Sequence, residues 1–131
     1  MGPAGDLYGI TYEGGASGDG VVFELTRSGA KWKEQVIYTI EATPSFAGLT
    51  MDAAGNIFAV TLETVCELSP NGSGGWNSAV IHPLHAISGF ATEGTPALDQ
   101  AGNLYDTASY GGTNSHGTVF ELSPKKEGGM D

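Results

Sequence analysis

Gly102-Asn103-Leu104-Tyr105-Asp106-Thr107-Ala108-Ser109-Tyr110-Gly111-Gly112 repeats, with changes, the segment Gly5-Asp6-Leu7-Tyr8-Gly9-Ile10-Thr11-Tyr12-Glu13-Gly14-Gly15. Both hold a glycine, a Leu-Tyr pair and a Gly-Gly at the same spacing. At one further common offset, Gly117-Thr118-Val119-Phe120-Glu121-Leu122 falls on Gly20-Val21-Val22-Phe23-Glu24-Leu25. A third version lies between them as Gly55-Asn56-Ile57-Phe58-Ala59-Val60-Thr61, followed by Thr64-Val65-Cys66-Glu67-Leu68-Ser69-Pro70, without the Gly-Gly loop. Trp32 with Val36-Ile37-Tyr38 aligns on Trp76 with Val80-Ile81-His82, and Asp52-Ala53-Ala54-Gly55-Asn56 on Asp99-Gln100-Ala101-Gly102-Asn103. The period is about 45–50 residues, the range of propeller blades and related arrays.

Each copy reads as short strands. Val21, Phe23 and Leu25 share one parity and Val22 and Glu24 the other, the alternation of a half-buried strand. Leu7 to Tyr12 is apolar or small on both parities, which predicts a strand covered on both faces. The Asp-x-x-Gly-Asn segments are turn signals, in which Gly and Asn are expected to take positive φ. Trp32, Val36, Ile37 and Ile40 also fit one side of a helix. The aligned segment, however, has Gly74-Gly75 before Trp76 and Pro83 after Ile81, which suits a strand. The prediction is an all-β chain of about ten strands in four-stranded antiparallel blades, a β-propeller type with about two and a half blades. Copy one (1–42) lacks its first strand, copy two (43–88) is complete, and copy three (89–131) lacks the Trp-led fourth. The whole is one repeat domain.

The composition agrees. Twenty-one glycines in 131 residues and 40% apolar residues suit a packed, turn-rich fold. Fifteen acids against five bases give a net charge of −10, the wrong sign for nucleic acid or an anionic membrane. No apolar run has the length of a membrane helix, and Met1 to Asp6 lacks the basic and apolar regions of a signal peptide.

The chain resembles the Gloeobacter/Verrucomicrobia (GloVer) repeat family. Its pattern, Asp-x-x-Gly-Asn-Leu-Tyr-Gly-Thr-Thr, a Gly-Gly loop and Gly-Thr-Val-Phe-x-Leu-x-Pro, is matched at Asp99, Gly102, Asn103, Leu104, Tyr105, Gly111, Gly112, Gly117, Thr118, Val119, Phe120, Leu122 and Pro124. Asp106 departs from it, standing where the pattern and copy one (Gly9) have glycine. The resemblance implies a bacterial, surface-exposed or secreted array with a propeller-like fold, and supplies no catalytic residues.

Two and a half blades leave apolar faces uncovered, so the chain is expected to be a piece of a larger propeller or to self-associate, most simply as a homodimer. Function is expected to be non-catalytic: binding of a glycan or protein through blade loops. Tyr12 and Tyr110, before the Gly-Gly loops, are the stacking candidates. Asp106 is placed near a central channel, its plain alternative being an acid bathed in water, and His116 lies in a polar hairpin loop. The competing readings are a hydrolase or lyase using Asp106 with His116 as acid/base, and a structural repeat fragment without a ligand. No cofactor, metal or catalytic residue is assigned. Cys66 stands where Phe23 and Phe120 do and reads as a small buried hydrophobe. His82 and His85 make a weak metal pair without a surrounding frame. Asp52 and Asp99 fit turn chemistry better than calcium. Glu24, Glu67 and Glu121 are expected on a solvated face. No Gly-x-Ser-x-Gly elbow or phosphate-binding loop occurs.

Overall fold

A computed structural model describes residues 1–41, 48–84 and 92–124. These residues form ten strands: β1 (Leu7–Ile10), β2 (Val21–Ser28), β3 (Lys31–Thr39), β4 (Leu49–Met51), β5 (Ile57–Val60), β6 (Thr64–Pro70), β7 (Trp76–Pro83), β8 (Ala97–Leu98), β9 (Leu104–Ala108) and β10 (Thr118–Leu122). No helix occurs among the described residues, and Lys31–Thr39 is a strand. The strands make three antiparallel sheets, ordered β1-β2-β3, β4-β5-β6-β7 and β8-β9-β10. Among the described residues the first and third sheets have three strands and the central sheet four.

The same irregularities recur in successive sheets. Register slips between Val22 and Phe23 in β2 and between Val65 and Cys66 in β6, leaving Ile37 and Ile81 as the extra residues on the facing strands. A bulge of this kind bends the outer strand and increases its twist. Gly20 (φ +101°) and Gly117 (φ +94°) enter β2 and β10 so closely that a Cβ would collide with the Thr11 and Ala108 carbonyl oxygens. Only glycine meets both demands.

The central sheet carries the core on both faces, and all four residues of β5 are buried. Strand alternation divides them: Ile57 and Ala59 join Leu68 and Val22 against the first sheet, with Tyr8, Ile10 and Tyr38 packed alongside. Phe58 and Val60 join Val65, Leu104 and Leu122 against the third sheet, with Leu98 and Phe120 alongside. The sheets stack in matching order, β3 against β7 and β4 against β8. Cys66 is buried in the first junction, its sulfur 3.9 Å from the Tyr38 hydroxyl. Burial, then the Cys66 contact, pushes the Tyr38 phenol up to about 12.

Two expectations change. β1 is covered on one face only, with Leu7 36% exposed, because no sheet of the described residues lies beyond it. The turn asparagines do not take positive φ; among the described residues Ser115 is the one non-glycine that does. Gly55 (φ +87°) and Gly102 (φ +85°) make the turn, and the asparagines serve as donors.

Candidate functional site

The turns entering β5 and β9 are built the same way. Asp52 N–H donates to the Asn56 carbonyl at 3.0 Å and Gly55 N–H to the Asp52 carbonyl at 3.1 Å. Asp99, Gly102 and Asn103 repeat both bonds. The Asp52 carboxylate accepts from the Ala54 and Asn56 amides and from the Asn56 side chain, each at 2.9 Å. Asp99 accepts the same three bonds and a fourth from the Tyr105 hydroxyl at 3.2 Å. These donors, led by Asn103, hold the Asp99 carboxyl below the usual carboxylate range. Both acids are therefore structural turn residues.

In the first sheet the backbone bonds persist between Gly2, Gly5 and Asp6, but the clamp is gone. Gly2 stands where Asp52 and Asp99 do, and Asp6 replaces the asparagine. A carboxylate here is left to line a cleft of about 480 Å³ between the first two sheets, with Tyr8, Glu24, Met51 and Trp76 among its walls. The floor is a T-shaped pair: the Tyr8 and Trp76 rings lie 5.8 Å apart at 73°. The Tyr8 hydroxyl donates to Glu24 Oε1 at 2.7 Å. Burial first, then Glu24 and the Asp6 charge, push the Tyr8 phenol well above its ordinary value. Tyr8 is thus a fixed donor and ring, unsuited to act as a base near neutral pH. The cleft offers two aromatic edges, two carboxylates and the glycine-rich β6–β7 turn. This combination can pack against an apolar ring face while accepting hydrogen bonds from hydroxyl groups.

The residues singled out in the sequence lie elsewhere. Tyr12 (41% exposed) and Tyr110 (57% exposed) stand on equivalent hairpin loops of the first and third sheets, at the opposite strand ends from the cleft. His116 is exposed on the Tyr110 loop. Asp106 is on the inner face of the third sheet, opposite Phe120 in register and 6% exposed, so it is not bathed in water. Its Oδ1 accepts the Thr107 amide at 2.8 Å, and Oδ2 is buried without a partner among the described residues. Burial raises its pKa against the pull of the Thr107 amide. Asp106 is thus buried within a sheet and His116 exposed on a loop, and no hydrogen bond joins them among the described residues. His82 is half-buried on β7, while His85 lies outside the described residues. Among the described residues no group of three or more His, Cys, Asp or Glu converges to hold a metal.

Glu24 and Glu67 are half-buried at the two junctions, and only Glu121 lies on an exposed face. Desolvation, then the Asp52 charge, raises the Glu67 pKa. The solvated face expected for all three is real in the third sheet alone, because the other two are each covered by a neighbour.

No family model, curated protein or solved structure matches the chain. No helix among the described residues is long and apolar enough to cross a membrane.

Proposed function

We propose that the chain is a non-catalytic binding module built of propeller-type, GloVer-like repeats, and that it takes a glycan in the cleft between its first two sheets. The propeller reading is supported by three meander sheets stacked strand over corresponding strand, with turns and bulges recurring at aligned positions. The GloVer reading rests on the motif residues from Asp99 to Pro124, and with it comes a bacterial surface or secreted setting.

The single observation that carries the ligand class is the Tyr8–Trp76 floor beside Glu24 and Asp6. Rings at right angles present both an edge and a face, and sugars carry an apolar face ringed by hydroxyl donors. A protein ligand through the Tyr12 and Tyr110 loops is less well supported, because one whole sheet stands between those loops.

The experiment is titration calorimetry of a neutral oligosaccharide panel against the unmodified chain and its variants. Saturable binding that disappears in Trp76→Ala and weakens in Glu24→Gln is expected. Binding indifferent to Trp76→Ala, or absent across the panel, rejects the cleft as a glycan site.

A further inference from the structure

The two end sheets expose complementary halves of a junction that the chain builds twice internally. In each internal junction, one face of a sheet meets the opposite face of the next. The Tyr8, Val22 and Glu24 face of the first sheet meets the Ile57, Leu68 and Trp76 face of the central one. The Phe58, Val65 and Glu67 face of the central sheet meets the Leu104 and Leu122 face of the third. Left over are the outer face of the first sheet, with Leu7, Leu25 and Trp32, and that of the third, with Tyr105, Val119 and Glu121.

Exposure at aligned positions makes the vacancy quantitative. Val22 and Val65 are each 0% exposed, while Val119 at the same position is 79% exposed. Ile57 and Leu104 are each 0% exposed, while Leu7 is 36% exposed and Trp32 48%. By register, Arg27 and Glu34 share the outer face of the first sheet with Leu25 and Trp32, and Glu121 lies on the outer face of the third with Tyr105 and Val119.

We propose that these faces bind each other between two copies of the chain, forming a head-to-tail homodimer. The outer face of the first sheet of each copy seats on the outer face of the third sheet of the other. Such a contact is heterologous, and heterologous contacts either close into a ring or run on as a filament. Two copies supply six sheets, within the roughly four to eight that closed rings of this kind contain, and three copies overshoot it. The occupant is a second copy because both halves of the junction reside on one polypeptide and match the template that the chain builds twice internally. By that template, Trp32 of one copy meets Tyr105 of the other as Trp76 meets Tyr8. The inference rests on the stacked-sheet part of the proposed reading and is independent of the glycan, whose cleft lies within one chain.

The test is mass by light scattering and sedimentation at micromolar concentration. The unmodified chain is expected to be a dimer. Trp32→Glu and Val119→Glu, both at exposed positions, should each be monomeric with unchanged circular dichroism. Mixed together they should form a heterodimer, because one junction then pairs two undamaged faces. A monomeric unmodified chain overturns the proposal and leaves those faces to another polypeptide or to flanking repeats. A Val119→Glu chain that still dimerises by itself also overturns it, since only a first-sheet to first-sheet contact survives that change. Should either glutamate variant unfold, a Trp32→Cys chain oxidised with a Tyr105→Cys chain decides the matter. Mixed disulfide dimers are required, and their absence is equally fatal to the idea.

Discussion

The Asn56 side-chain amide donates to Asp52 Oδ2 at 2.9 Å, and Asn103 makes the same bond to Asp99 at 2.7 Å in the next sheet. Each pair closes a turn that sets where the following strand begins, and hence the register of its sheet. Because neither asparagine has positive φ, its side-chain donor and not its backbone freedom is what the turn requires.

Replacement of Asn103 should therefore follow donor chemistry. Asn103→Val and Asn103→Gly are both expected to lower the melting temperature, and Asn103→Gly should show no advantage. Were a left-handed backbone the requirement, glycine would be the best tolerated substitution. Asn103→Asp should be worst at neutral pH and recover on acidification, as two facing carboxylates become protonated. Thermal melts at two pH values distinguish these outcomes.

Leu104 tests the second junction. It is 0% exposed and packs among Phe58, Val60, Val65 and Leu122. Leu104→Ala should cost about 2–5 kcal/mol in urea unfolding, the range for a cavity in a close-packed core. Val80 is 57% exposed on β7. Val80→Thr keeps the branched Cβ that a strand prefers and should stay within about 0.5 kcal/mol. Similar costs at both positions would mean that the sheets do not pack as described.

The architecture was legible in the sequence because it is written in local signals. Asp-x-x-Gly-Asn marks a turn, alternation marks a strand, and recurrence marks a stack of sheets. The cleft was less so. Tyr8 and Trp76 belong to different copies, and no spacing along the chain reveals which face of one sheet meets which strand of the next. The burial of Asp106 did leave a trace. Its aligned positions hold Gly9, where a Cβ would strike the Phe23 ring, and Ala59, 1% exposed. Small residues in two copies mark a crowded site, whatever the third copy places there. The glutamates misled because strand parity tells which side a residue faces but not whether another sheet stands opposite.

Tyr8 offers a spectroscopic check on the cleft. Its phenol is held protonated by burial, by the Glu24 bond and by the nearby carboxylates, so it should ionise at the alkaline end of the tyrosine titration. In Tyr8→Phe that last component of the ultraviolet titration should vanish while the rest of the curve is unchanged. The lost hydrogen bond should cost about 0.5–1.5 kcal/mol of stability. Disappearance of an early-titrating component instead would place Tyr8 in open solvent and dissolve the cleft's floor.

Asp106 carries a pH dependence whose direction follows from its surroundings. Burial raises its pKa, so the folded chain holds the proton more tightly than the unfolded chain does. Its contribution to folding is fully present below the ordinary aspartate pKa and is lost as pH rises through the raised folded-state value. At neutral pH the residue is a liability: either a charge is buried with Oδ2 unpartnered, or a proton is retained at the expense of its unfolded-state preference. Asp106→Asn keeps an oxygen to accept the Thr107 amide and removes the titration. The variant should melt above the unmodified chain at neutral pH, and the gap should shrink steadily on acidification until the two coincide below the carboxylate range. A gap independent of pH, or a variant that is less stable throughout, would show that Asp106 is charged and well solvated in the folded chain.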